Sequence, residues 1–187
     1  METTANSSAS EARRPENEVV LVDANGNPIG HQDKLMAHRL GQLHLAVSVF
    51  VFDDSNRLLL QRRAESKYHS GGLWSNTACT HPRPTEPLLD AARRCLREEM
   101  GLECGLRRAG QFTYRRAVGN GLIEHEYDVL FTGFSEGDPQ PNPAEVSDWR
   151  WVAATESRRD AEVNPAAYSA WFALAFDSLQ SSRGASG

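Results

Sequence analysis

Apolar and polar positions change period several times along this chain, and each change marks an element. A short apolar run over 19–23 stops at Asn25, Gly26, Asn27 and Pro28, which predicts a strand and a turn. The stretch 31–38 is polar and without period, and reads as irregular. Residues 43–52 are almost continuously apolar, as in a strand buried on both faces. Asp53, Asp54, Ser55 and Asn56 then turn the chain into a strand over 57–63, so this pair reads as a hairpin. A loop over 64–72 ends in Gly71 and Gly72, and 73–79 returns as a strand.

Helical spacing takes over at 87–100, where Leu88, Ala92, Cys95 and Glu99 share one stripe. Glu99 therefore points inward, which is costly for a carboxylate unless it is paired or holds a metal. Two strands are expected over 111–118 and 122–134, around the turn Gly119, Asn120 and Gly121. Residues 135–145 read as a loop, 146–152 as a strand with Trp149 and Trp151 on one face, and two helical segments follow, from 155 and over 165–179. With no repeat and no linker, these elements predict a single α/β domain over 19–180, a mixed sandwich of strands and helices. Residues 1–18 contain no Val, Ile, Leu or Phe and read as a disordered arm, and 181–187 as a flexible tail.

Composition narrows the classes further. A net charge of −5 gives no reason to expect nucleic acid or an anionic membrane as partner. Arg62, Arg63 and Lys67 still leave room for a small anionic ligand. Three cysteines, Cys79, Cys95 and Cys104, fit free thiols in a reducing compartment better than a disulfide framework. No apolar run reaches the length of a bilayer span, and the first residues lack a signal-peptide core, so a cytoplasmic protein is expected.

The candidate chemistry lies in a few side chains. His38, His44 and His81 are three of six histidines, and Glu124 and Glu126 sit two apart in a strand. That spacing sends both carboxylates to one face and Ile123, Tyr127, Val129 and Phe131 to the other. The same arithmetic puts Cys79 and His81 on one side of theirs. Imidazoles with carboxylates suit a transition metal rather than calcium. The bland alternative is a solvated strand face with scattered histidines, and spacing alone does not bring His38 to Glu126.

Glu86, Arg94, Glu98, Glu99 and Gly101 have the spacing of a Nudix box, a loop–helix–loop that holds a divalent cation against a diphosphate. Four segments in order, LMAHRLGQLHLAVS, NTACTHP, RCLREEMGL and IEHEYDVLF, resemble the type 1 isopentenyl-diphosphate Δ-isomerases of the Nudix superfold. The resemblance spans about 19–171. It implies mixed β-sheets sandwiched between helices in a Nudix-like domain, and interconversion of isopentenyl and dimethylallyl diphosphate. It also implies a manganese or zinc ion held by His38, His44, His81, Glu124 and Glu126. Cys79 and Glu126 would be catalytic, with Tyr114 beside Glu126. Glu99 would hold magnesium on the substrate diphosphate, Lys34, Arg63 and Lys67 would contact that diphosphate, and Trp171 would wall the isoprenoid pocket. The partner implied is this small molecule, met by a monomer or weak dimer.

The reaction explains these demands. An unactivated double bond must take a proton at one carbon and lose another two carbons away, through a tertiary cation-like state. That requires two acid/base groups on opposite sides of a dry pocket. Departures from the box matter as well. Thr80 replaces its first glycine, and Cys95 replaces the glutamate that Nudix hydrolases place in their metal cluster. Some of the isomerases carry an arginine at the Cys95 position, and Arg93 or Arg94 would have to substitute for it. A Nudix hydrolase of a nucleoside diphosphate derivative is the competing reading, and it has no use for Cys79 or His81. A non-catalytic binding domain is a third. Cys95 reads as core, Cys104 and His69 have no matching role, and His125 should face away from Glu124 and Glu126.

Overall fold

A computed structural model describes residues 17–184. Apart from 17–18 and 181–184, the expected arm and tail lie outside the described residues. The elements in order are β1 (Glu18–Val22), β2 (Pro28–Asp33), α1 (Lys34–Leu40), β3 (His44–Phe52), β4 (Arg57–Arg63), β5 (Trp74–Ser75) and β6 (Ala78–Thr80). They continue with α2 (Leu88–Met100), β7 (Leu106–Ala117), β8 (Ile123–Phe134), β9 (Val146–Ala153), α3 (Ala154–Val163) and α4 (Phe172–Gly184).

Strand β3 is the centre, and every residue of it is buried. One edge is taken by β8, which runs parallel from His44↔Glu126 to Phe52↔Phe134. Strands β1, β6 and β4 share the opposite edge, with Leu21 beside His44, Cys79 beside Ser48 and Leu58 beside Phe52. Cys79 and Glu126 thus come from strands on opposite edges of β3.

The two faces have separate cores. Val47, Val49, Val51, Val129 and Phe131 pack on α2 through Ala91, Ala92, Cys95, Leu96 and Met100. On the other face Phe50, Phe52 and Leu130 meet Phe172, Phe176 and Leu179 of α4. Each fully buried Val or Phe contributes about 1.5–3 kcal/mol, so the sheet is clamped from both sides. The second face changes character along its length. Its far end carries His44, Ser48, Glu124, Glu126 and Asp128, all buried. That polar end is where the site forms.

Several expectations need correction. The stretch 31–38 is not irregular: β2 pairs with β1 from Glu18↔Asp33 onwards, and α1 follows at once. An exposed edge strand shows no apolar alternation, and a helix of 7 residues is too short to show a period. Its caps were the readable signal, since Asp33 accepts from Met36 N at 2.9 Å and Gly41 closes it in the left-handed conformation.

The expected hairpin closes only at Phe52↔Leu58, because β4 leaves to pair with β9 along its length. The gap between β3 and β4 is filled from the 73–79 segment, which is accordingly two short strands rather than one. Thr77 Oγ1 accepts from Val51 N at 2.9 Å and donates to Leu59 O at 2.7 Å, standing in for a ladder bond. The C-terminal helix is also interrupted. A single 3-10 turn at Pro165–Ala167 leads to a bridge between Trp74 and Tyr168, and α4 starts only at Phe172. Trp171 therefore flanks α4 rather than lying within it. Strand β7 begins at Leu106, five residues before 111, with an irregular register between Arg108 and Gly110.

Candidate active site

His38 comes from α1, His44 opens β3, His81 follows β6, and Glu124 and Glu126 project from β8. The structure brings these distant positions together. Ring centroids lie 4.8 Å apart for His38 and His44, 4.9 Å for His44 and His81, and 5.4 Å for His38 and His81. Ligand atoms of His38, His44, His81 and Glu124 all fall within 4.8 Å of one another. His38, which showed no periodic signal, is completely buried.

Hydrogen bonding prepares the rings for a metal. His38 Nδ1 contacts Lys34 O at 2.6 Å and His44 Nδ1 contacts Gln42 O at 2.8 Å. Each Nδ1 therefore carries the proton, and each Nε2 lone pair is directed inward. His38 Nε2, His44 Nε2 and Glu124 Oε2 are buried without any hydrogen-bond partner. Burial lowers the pKa of His44 to about 4 and that of His81 well below the ordinary range, so these rings are neutral. Orphaned imidazole lone pairs beside a carboxylate fit a divalent transition ion, and no group among the described residues satisfies them otherwise.

Glu126 lies against this cluster, with Oε1 at 2.9 Å from His81 Nε2 and 3.8 Å from His44 Nε2. Its Oε2 accepts from Tyr114 Oη at 2.7 Å. Burial, then the charges of Glu124 and Asp128, push the Glu126 carboxyl well up. Burial also acts on Glu124, but the hydrogen bond from His69 opposes it, and that carboxyl lies well below its usual range.

One cavity of about 340 Å³ joins these groups to the rest of the predicted set. Cys79, Glu99, Lys34, Arg63, Lys67, Tyr114 and Trp171 all line it. Burial pushes the Cys79 thiol up, and Arg63 Nη1 lies 3.9 Å from its sulfur. Burial likewise pushes Glu99 up to about 7, against a hydrogen bond from Gln61 Nε2 at 2.7 Å. The cationic groups already have partners. Lys67 pairs with Glu145, Lys34 lies 5.3 Å from the Tyr68 ring centre, and Arg63 lies 5.2 Å from that of Trp171. Trp171 also donates from Nε1 to Asn76 Oδ1 at 3.2 Å.

Neither arginine replaces Cys95 in the cavity. Arg94 Nε and Nη2 grip the two Glu86 oxygens at 2.7 and 2.8 Å, and Arg93 sits 3.6 Å from Asp90 on the outer side of α2. His125 faces away, with Nδ1 on Gly41 O at 2.9 Å, as strand alternation requires. Sequence reasoning missed His69, whose Nε2 is 2.9 Å from Glu124 Oε1, together with Gln61 and Glu145. It also missed Asp128, a buried carboxyl that accepts from Ser48 Oγ at 2.7 Å and is pushed up to about 7 by burial. Asp128 could have been found, since it continues the i, i+2 series of Glu124 and Glu126. His69 lies in a loop, where no period applies.

A curled sheet between α2 on one side and α3 with α4 on the other, with a carboxylate-bearing helix at the cavity, defines a Nudix protein. Residues 42–172 match the NUDIX domain, and the chain belongs to that family. The fold resembles the crystal structure of a Deinococcus radiodurans protein, with TM-score 0.71 at 18% identity over 86% of this chain and 97% of that one. A MutT protein from Methanosarcina mazei gives TM-score 0.62 at 20% identity, over 75% of this chain and 95% of that one. Within the family, the chain belongs to the isopentenyl-diphosphate Delta-isomerases. It is 53% identical to isopentenyl-diphosphate Delta-isomerase 2 of Aromatoleum aromaticum, over 92% of this chain and 91% of the relative. It is 49% identical to the isopentenyl-diphosphate Delta-isomerase of Pectobacterium atrosepticum, over 87% and 90%.

Proposed function

We propose that this protein interconverts isopentenyl and dimethylallyl diphosphate, with Cys79 and the Glu126–Tyr114 pair as the two acid/base groups. The observation that carries the assignment is their placement: they enter one cavity from strands on opposite edges of β3. One group gives a proton to an alkene carbon while the other takes a proton two carbons away. Their protonation states are exchanged by each turnover, so resetting them against solvent brings solvent hydrogen into the product.

The remaining residues have supporting roles. Lys34, Arg63 and Lys67 are the cations available to the diphosphate, and Lys67 would exchange Glu145 for it. Anchoring that end supplies binding energy that holds the alkene between the acid/base groups. Glu99 faces the same space as the carboxylate for a magnesium ion on the diphosphate. Trp171, Tyr68 and Tyr114 wall the cavity and exclude water that would otherwise trap a cationic carbon as an alcohol. His38, His44, His81 and Glu124, with Glu126 beside them, would hold manganese or zinc. When bound, such an ion lowers the proton affinity of the carboxyls around it. The reading places a cytoplasmic enzyme, monomeric or weakly dimeric, on a small diphosphate. Among the described residues no helix is long and apolar enough to cross a membrane.

Incubation with isopentenyl diphosphate and magnesium in heavy water, followed by NMR, tests this directly. Deuterated dimethylallyl diphosphate without phosphate or pyrophosphate release is expected, and loss of turnover in a folded Cys79→Ala variant. Full activity in that variant would sink the assignment, and nucleotide or phosphate release would favour a hydrolase.

A further inference from the structure

We propose that His69 is a positioning residue of the metal centre, holding Glu124 in its ligating orientation by a hydrogen bond to the oxygen that does not face His38. The inference rests on reading His38, His44, His81 and Glu124 as the metal ligands. Glu124 divides its two oxygens: Oε1 meets His69 Nε2 at 2.9 Å, whereas Oε2 lies 3.3 Å from His38 Nε2 and has no hydrogen-bond partner. One oxygen is thus committed to His69 and the other is left for an ion.

Tautomers separate His69 from the ligand histidines. His38 and His44 place Nδ1 on a backbone carbonyl, which protonates Nδ1 and frees Nε2. His69 Nδ1 instead meets the Ser70 hydroxyl at 3.1 Å, a group able to donate to it. Nε2 then carries the proton and donates to Glu124. His38 and His44 present lone pairs to the cluster, and His69 presents a hydrogen.

The ring is also built into place. It is 5% exposed, with Tyr68 at 4.4 Å and Trp171 at 6.0 Å between centroids, both edge-on. Its loop uses two left-handed residues, Ser70 at φ 53 and Gly72 at φ 74. A Cβ on Gly72 would come within 2.6 Å of the Glu65 carboxylate. A partner of this kind typically changes metal affinity by about 10–100-fold when removed.

The test is titration of chelator-stripped full-length protein with Mn(II) and with Zn(II). Wild type is expected to take up an ion tightly. His69→Phe, which keeps a ring but no donor, is expected to bind about 10–100-fold more weakly. His69→Gln, whose amide nitrogen reaches the place of Nε2, should recover most of that loss. In a Glu124→Ala background, adding His69→Phe should weaken binding no further. Wild-type affinity in His69→Phe would overturn the proposal, as would an equal loss in both Glu124 backgrounds, because His69 would then act elsewhere. No uptake by wild type would overturn the metal reading itself. Should His69→Phe fail to fold, His69→Asn replaces it, since the shorter amide cannot reach Glu124 and must bind as the weak variant.

Discussion

Tyr114 donates its phenol to Glu126 Oε2 at 2.7 Å, and the two residues are cross-strand partners on β7 and β8. Burial raises the phenol pKa well above its ordinary value, so the proton stays with Tyr114 at neutral pH. Tyr114→Phe removes only the hydroxyl and leaves the ring stacked on Phe112, 5.3 Å away between centroids. General acid–base groups typically contribute about 10²–10⁴-fold, so kcat should fall by at least about 10²-fold with KM little changed. Steady-state kinetics check this, and an effect on KM alone would remove Tyr114 from the acid/base pair.

Much of this site was legible because strand alternation is strict. Glu124 and Glu126 share a face, and the structure puts both at the cavity while Val129 and Phe131 go to the α2 core. Glu99 likewise continues the stripe of Ala92 and Cys95 and lines the cavity, although its polar end reaches Gln61. The assembly of His38 with Glu124 was not legible from period, because it depends on a two-turn helix docking against β8. His69 was invisible for a similar reason, since loop conformation and not periodicity delivers it. The failed hairpin has a physical cause too: Thr77 supplies side-chain hydrogen bonds where the β3–β4 ladder was expected.

Removing the metal should affect stability as well as turnover. Three imidazoles and a carboxylate are held together, with no hydrogen-bond partner among the described residues for His38 Nε2, His44 Nε2 and Glu124 Oε2. A ligand that binds only the folded state adds about 2.7 kcal/mol at a hundredfold excess over Kd. Dialysis against a strong chelator should lower the melting temperature, and Mn(II) or Zn(II) should restore it. His38→Ala should show a much smaller metal-dependent shift, and a shift equal to that of wild type would exclude His38 from the ligands.

Gly101 ends α2 at φ 63, and a Cβ there would stand 2.4 Å from Gln140 O. Gln140 cannot simply withdraw, because its N–H bonds Met100 O at 2.8 Å. Left-handed backbone costs an L-residue about 1–2 kcal/mol, and displacing the 135–145 loop adds to it. Gly101→Ala should therefore lose about 2–4 kcal/mol in urea unfolding. Gly101→Asn separates the two causes, since asparagine tolerates the conformation but not the contact. A near-wild-type Gly101→Asn would show that the backbone conformation alone demands glycine.

The Glu86–Arg94 pair should make stability pH-dependent in acid, with a definite sign. Arg94 grips both Glu86 oxygens, and the same carboxylate accepts from Arg83 N at 2.8 Å. The Arg94 hydrogen bond chiefly holds Glu86 below its ordinary pKa, partly opposed by burial. An unfolded glutamate titrates near about 4.3. A folded value below that means the pair stabilises fully above about pH 4.3 and loses its contribution as pH falls through the folded value. Glu86→Gln should be less stable than wild type by about 1 kcal/mol at pH 7, given a bidentate geometry that is only partly exposed. The gap should shrink below about pH 4.3 and close once wild-type Glu86 is itself neutral. Urea unfolding of both proteins between pH 7 and pH 3 measures it, and a gap that persists undiminished in acid would assign the loss to shape rather than charge. Because Arg94 Nη2 also reaches His81 O at 3.4 Å, the neutral pair should loosen His81 as well. Glu86→Gln should then weaken Mn(II) or Zn(II) binding at neutral pH, although Glu86 does not line the cavity.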